Sequence, residues 1–243
     1  VRPHPNADRL QVCIVDTGYD IEHPDLLGYE RVDGTSQVVG EDWTEDGLGH
    51  GTHVAGTISA IEGNDQGVVG VHTGPSLELH IVKVFDNDGG WSYASDLIDA
   101  LDSCAAAGSH IVSMSLGGGY SASEEEAFDD AADNGMLVIA AAGNSGNFSY
   151  SYPASYDSVV SVAAVGESES LASFSQKNEQ VEISAPGVGV LSTLPGDRYV
   201  AWNGTSMATP HVSAAAAVIW GLFPDCTADE VRTVLAASAK DLG

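Results

Sequence analysis

Short runs of consecutive apolar residues alternate along this chain with segments whose apolar positions recur at helical spacing. The runs at 11–16, 79–84, 111–115, 137–141, 159–165 and 181–183 lack the polar alternation of a half-exposed strand. They predict strands buried on both faces. Helices are predicted over 52–61, 94–107, 123–134, 206–222 and 228–237, and Ser123 with Glu126 and Thr227 with Glu230 have capping-box spacing at two of their starts. This alternation predicts an α/β fold, an open and mostly parallel sheet with helices on both faces. The segment 168–204 is richer in turns and short strands, so antiparallel pairing is expected there, with its loops packed beneath the helix 206–222. No repeat, low-complexity tract or Pro/Ser-rich linker interrupts residues 1–243, which predicts a single domain. Functional groups of such sheets collect at the carboxyl ends of strands. Asp16, Ser115 and Asn144 all fall at such ends.

Composition narrows the partners. Eight Lys and Arg face 35 Asp and Glu, a formal net charge of −27. Phosphate backbones and anionic lipid surfaces would be repelled, which argues against nucleic acid and membranes. Such acidity suits a saline or calcium-containing setting, although lineage-wide compositional drift gives the same balance. Cys13, Cys104 and Cys226 are odd in number and none has CxxC spacing, so no zinc or thioredoxin motif is present. Cys13 and Cys104 suit either a bridge or two small buried hydrophobes.

Three blocks carry candidate chemistry. Ser206 lies in Gly204-Thr205-Ser206-Met207-Ala208-Thr209-Pro210-His211, at the first turn of a helix of small and apolar residues. Unsatisfied N–H groups there stabilise negative charge. Pro210 is expected within that first turn, where it removes no intrahelical donor. Asp16 ends the apolar run in Val12-Cys13-Ile14-Val15-Asp16-Thr17-Gly18, and His50 opens a helix in Gly49-His50-Gly51-Thr52-His53. A serine hydroxyl needs a base, and the base needs a group to fix its tautomer. Each residue alone has an ordinary structural reading: a turn-capping aspartate, a helix-opening histidine, a helix N-terminal serine. His23, His53 and His211 compete as the base, but the last two lie within helices and His23 reads as a loop residue.

In order and approximate separation these blocks resemble those of the subtilisin-like serine proteases, the subtilases. Ala140-Ala141-Ala142-Gly143-Asn144 matches that family's oxyanion asparagine, and Ser113-Met114-Ser115-Leu116-Gly117-Gly118 its cleft-lining strand. The resemblance spans about residues 10–240 and implies a three-layer fold. It implies a serine endopeptidase with Asp16, His50 and Ser206 as triad and Asn144 as oxyanion donor. A substrate strand would pair with Ser115, Leu116 and Gly117, with a second rail at Gly89, Gly90 and Trp91. The pocket for the side chain before the scissile bond would be walled by Leu116, Gly117, Gly118, Ala141, Ala142 and Gly143, and closed by Ser151 and Tyr152. These residues are small or neutral, so large apolar side chains are the expected preference. Met207 would pack behind the nucleophile.

The chemistry needs no cofactor. Asp86-Asn87-Asp88-Gly89 fails as an EF-hand, having Trp91 at its sixth position and Leu97 at its twelfth. The loop 62–68 resembles the family's structural calcium loop. Carry-over gives Asn64, the carbonyls of Glu62, Gln66 and Val68, and the Asp25 side chain as Ca2+ ligands, and a plain acidic turn is the alternative. The resemblance further implies secretion, polypeptide substrates, a monomer, an inhibitory propeptide in the precursor, and a catalytic domain trimmed at both ends. Two rival readings are a catalytically silent binding protein on the same scaffold and an acyl-enzyme transpeptidase or macrocyclase.

Overall fold

The computed structural model describes residues 9–90 and 95–242. Its first strand, β1 (Leu10–Asp16), is followed by β2 (Val32–Ser36), α1 (His50–Ser59), β3 (Leu77–Lys83), α2 (Ser95–Ala107) and β4 (Ile111–Met114). Then come α3 (Ala122–Asp133), β5 (Leu137–Ala141), β6 (Val159–Val165) and β7 (Val181–Pro186). A hairpin of β8 (Val190–Leu194) and β9 (Arg198–Trp202) precedes α4 (Thr205–Leu222) and α5 (Ala228–Ser238). The first seven strands form one sheet in the order β2-β3-β1-β4-β5-β6-β7, every neighbouring pair parallel. Parallel neighbours need crossover connections. Helices α1, α2 and α3 lie in those between β2 and β5, whereas the loops 142–158 and 166–180 carry the chain from β5 to β6 and from β6 to β7.

The apolar runs are continuous because both faces of the sheet are covered. Along β1, Val12 and Ile14 enter the core shared with α1, α4 and α5, while Cys13 and Val15 enter the core under α2 and α3. Cys13 is disulfide-bonded to Cys104, with Cα atoms 5.7 Å apart, which joins β1 to α2 and leaves Cys226 free.

Two expectations change: β7, at the sheet edge, is only partly buried along most of its length and is not covered on both faces, and one helix is capped by a different residue. The cap of α3 is Ser121, whose hydroxyl accepts from Glu124 N, not Ser123; Glu124 turns instead to the Tyr156 hydroxyl. Thr227 and Glu230 do form the reciprocal box. The β8–β9 hairpin is antiparallel as expected and packs on α1, while β7, from the same segment, meets the serine helix α4. Ser192 Oγ donates to His53 O at 2.7 Å and Thr193 Oγ1 to Thr52 O at 2.8 Å. Helix α1 and the hairpin meet at Gly56, where any side chain would collide with Thr193.

Candidate active site

The end of β1 delivers Asp16 into the interior, 1 % exposed. One of its oxygens accepts from Thr17 N at 2.8 Å and lies 2.7 Å from His50 Nδ1. A carboxylate can only accept, so Nδ1 carries the proton and Nε2 keeps its lone pair. Partial burial disfavours the imidazolium, but the charge and hydrogen bond of Asp16, with the charge of Asp46, outweigh it and raise the pKa of His50. The Trp202 indole lies nearly parallel to this imidazole at 6.2 Å and to that of His53 at 4.7 Å.

Ser206 is the second residue of α4. Its hydroxyl donates to Ser115 O at 3.3 Å, and Ser115 Oγ donates to Ser206 O at 2.7 Å. The second bond has its origin in Pro210, which sits beyond the first turn, contrary to expectation. Lacking an N–H, it leaves the carbonyl four residues earlier, that of Ser206, without a helix partner. Ser115 takes that place and so pins Ser206. Among the described residues no hydrogen bond joins Ser206 to His50. In resting enzymes this contact is often long and tightens when substrate arrives.

Asn144 follows β5 in an exposed turn. Thr205 N and Thr205 Oγ1 both donate to its Oδ1, at 2.8 and 3.0 Å. A backbone N–H cannot accept, so this contact assigns the oxygen. The amide nitrogen is thereby turned toward Gly204 and the start of α4. Met207 is buried behind the serine.

The remaining cleft residues divide. Gly118 and Tyr152 form an antiparallel bridge through N–H bonds of 2.7 and 3.1 Å, which ties the segment after β4 to the turn at 151–153. A β-carbon on Gly117 would stand 2.4 Å from Ser151 Oγ, so these two positions face each other. Leu116, Ala141 and Ala142 are buried, and Gly143 turns away at φ 108°. Gly90 engages both its backbone groups with Asp86, donating to Oδ1 at 2.7 Å and accepting from Asp86 N at 3.0 Å. The Gly90 N–H is therefore engaged within the loop, while its carbonyl oxygen keeps a second lone pair. Gly89 donates to Asp86 O in the same turn. Trp91 lies outside the described residues.

The competing histidines are bonded elsewhere. His23 is buried with Nε2 near Arg198 O, His53 Nε2 donates to Val200 O, and His211 Nδ1 to Met207 O. Burial depresses His53 to about 4.

Asp25, Asn64 and Val68 do meet, but with the wrong polarity for a cation. The wholly buried Asp25 carboxylate accepts from Asn64 Nδ2 at 2.7 Å and Val68 N at 2.9 Å. Burial first, then the charge and hydrogen bond of this carboxylate, hold the Tyr199 phenol above its ordinary pKa. Asn64 Oδ1 is turned to Gln66 N, and the Glu62 side chain, as distinct from its carbonyl, accepts from Thr73. Of the expected ligand side chains, Asn64 therefore presents its amide hydrogens to Asp25 where Ca2+ would need its oxygen, so these two side chains as folded do not fit the ion.

Sequence reasoning passed over Asp46, Thr17, Thr205 and Trp202. Thr205 stood inside the serine block and Thr17 beside Asp16; Asp46, four residues before His50, had only its place ahead of a helix as a signal.

Residues 8–243 match the profile of the peptidase S8, or subtilase, family. Subtilisin DY of Bacillus licheniformis is 42 % identical over 239 residues, covering 96 % of this chain and 85 % of that protein. Subtilisin BL of Lederbergia lenta is 45 % identical over 235 residues, covering 96 % and 84 %. The fold is similar to that of the psychrophilic subtilisin-like protease Apa1 from the Antarctic psychrotroph Pseudoalteromonas sp. AS-11. The TM-score is 0.86 at 31 % identity, over 98 % of this chain and 88 % of that one.

Proposed function

The chain belongs to the subtilase family and is a subtilisin-like serine endopeptidase, and from that premise we propose that Asp16, His50 and Ser206 are its catalytic triad and Asn144 its oxyanion donor. The observation that carries this reading is the 2.7 Å contact of His50 with buried Asp16, which leaves Nε2 as the free base. A substrate segment pairs in extended form along Ser115–Gly118. The Ser206 hydroxyl leaves Ser115 O and attacks the carbonyl carbon as His50 Nε2 takes its proton. Charge builds on the carbonyl oxygen, where Asn144 Nδ2 and the Ser206 N–H donate to it. Collapse expels the amine, which receives the proton from His50. Water then repeats the sequence on the acyl-enzyme and restores Ser206. Asp16 stays ionised and holds the imidazolium through both steps.

Leu116, Ala141 and Ala142 with the surrounding glycines wall the pocket, which favours large apolar side chains before the scissile bond. The substrates are polypeptides, and the net charge of −27 disfavours nucleic acid. The Cys13–Cys104 disulfide supports an oxidising, extracellular compartment. We propose a secreted, monomeric, single-domain enzyme held in check by its propeptide before maturation. Fluorophosphonate labelling of the wild type and of Ser206→Ala, followed by mass spectrometry of casein digests, tests the reading. Labelling lost in Ser206→Ala, with cleavage after Phe or Leu, is the expected result. A folded wild type that does not label overturns it in favour of a silent scaffold. Ligation without hydrolysis would instead indicate a transpeptidase. Arg beating Phe or Leu tenfold rejects the specificity.

A further inference from the structure

We propose that Asp46 is a positioning residue for the reaction, bolting the strand end that carries Asp16 to the helix start that carries His50. The proposal rests on the triad reading above.

Helix α1 begins without the usual provisions. Its cap, Gly49, is left-handed at φ 79° and has no side chain to offer, and its first turn holds no acidic residue. The first N–H groups of a helix nevertheless need acceptors. Asp46 supplies them from outside the helix: Oδ1 accepts from Gly49 N at 2.8 Å, and Oδ2 from Thr52 N at 2.9 Å and Thr52 Oγ1 at 2.6 Å. Oδ1 also accepts from Thr17 Oγ1 at 2.7 Å, and that hydroxyl accepts in turn from Gly51 N at 2.8 Å. Thr17 N donates to the same Asp16 oxygen that holds His50. Asp46, Thr17, Asp16, His50 and the turn of helix between them thus form a closed ring. Lys83, wholly buried, steadies it by donating to Thr17 O at 2.6 Å.

The ring is electrostatic as well as mechanical. Asp16 on β1 and Asp46 on the preceding loop are the anions that favour charge on His50, while His53 on its own helix is held neutral near pH 7. Lys83 on β3 spends its charge on Glu41 at 3.1 Å, and Trp202 on β9 is uncharged. A residue that merely capped α1 would cost stability on removal and leave turnover in the folded enzyme alone, whereas a positioning residue lowers turnover. Loss of the Asp46 charge moves the acid limb in either case, so kcat carries the distinction.

The test measures kcat, KM and the fluorophosphonate labelling rate from pH 5 to 9 at a temperature where circular dichroism shows each variant folded. Asp46→Ala should lower kcat by about 10- to 100-fold with KM nearly unchanged, and move the acid limb to lower pH. Asp46→Asn should lower kcat less, because its amide keeps one acceptor oxygen, but should move the limb about as far, because the charge is gone. Thr17→Val breaks the ring but leaves both charges, so kcat should fall with the limb in place. Asp42→Asn, a neighbouring carboxylate that accepts only from Thr44, should behave as wild type. Folded Asp46→Ala with wild-type kcat, or with losses that follow melting temperature alone, overturns the proposal. Should neither Asp46 variant fold, an undiminished kcat in Thr17→Val overturns it. Wild-type labelling rates in His50→Ala would instead sink the triad reading itself.

Discussion

Gly51→Ala offers a sharp test of how closely the base must approach its orienting acid. Gly51 is the second residue of α1, where the helix passes the end of β1. A β-carbon there would stand 2.2 Å from Gly18 O, 3.1 Å from Gly18 N and 3.2 Å from Asp16 Cβ, where real β-carbons stay beyond 3.0 Å. Strand end and helix start must therefore separate by at least about 0.8 Å. Gly18 has little room to retreat, because its outward face lies against Glu45 O. The separation strains the bond from Gly51 N to Thr17 and opens the 2.7 Å contact of Asp16 with His50. Misplacement by about 1 Å at a catalytic group costs about 10²-fold in rate, or about 2.7 kcal/mol in the barrier. Overpacking should remove about 1–3 kcal/mol of stability, offset by up to about 1 kcal/mol of better helix propensity. The assay is kcat/KM on a peptide substrate above the pKa of His50, with thermal melts alongside. Gly221→Ala, at a helical position with nothing within 4 Å, is the control and should be neutral or slightly stabilising. Wild-type kcat/KM in Gly51→Ala would refute the claim that this approach distance governs the rate.

Ser115→Ala leaves the Ser206 carbonyl without a donor, and should cost about 1–3 kcal/mol in a urea melt together with a loss of kcat. His53 has a folded pKa below the ordinary 6.5, so its contribution to stability is complete above pH 6.5 and lost as pH falls toward about 4; melts across that window should show the decline, and His53→Gln should flatten it. His50 has the opposite sign: its raised pKa stabilises below pH 6.5, and that contribution fades as pH rises through the folded value. Trp202 emission should be quenched as His50 gains its proton, with the same midpoint as the acid limb of kcat/KM, and the transition should vanish in Trp202→Phe and His50→Ala. Because N–H and O–H donors already satisfy Asp25, excess EDTA should leave the melting temperature unchanged; a marked drop would show that an ion displaces them.

What was legible in the chain depended on whether its cause was local. Strands β1 and β4 to β6 announce themselves because burial on both faces demands near-continuous Val, Ile, Leu and Ala, whereas β3 interrupts its run with Glu78, His80 and Lys83, and β7, at the sheet edge, is only partly buried. Strand β2, Val-Asp-Gly-Thr-Ser, does not announce itself: an edge strand with exposed alternate positions carries neither an apolar run nor high strand propensity. Helix boundaries moved by a residue or two, and at α3 the choice between Ser121 and Ser123 hung on Tyr156, thirty-odd residues away. Asp16, His50, Asn144 and Ser206 were visible because each sits in a short block whose glycines and small residues serve its own turn. The groups that aim them were not. Asp46 reaches Thr17 across 29 residues, and Ser115 reaches the carbonyl freed by Pro210 across 91. Such pairings leave no spacing in the sequence, since the loops between them could have other lengths.

The topology also sets an order of events. On the proposed triad, the acid at residue 16 and the base at residue 50 come early, whereas the hydroxyl arrives at residue 206, on a helix that packs among strands that precede it in the chain. A nascent chain that has emerged only as far as β6 therefore has no warhead. It cannot digest itself or its neighbours on the ribosome. The same long-range closure makes assembly slow, so the interval of greatest vulnerability to other proteases is also the interval in which this one is unarmed.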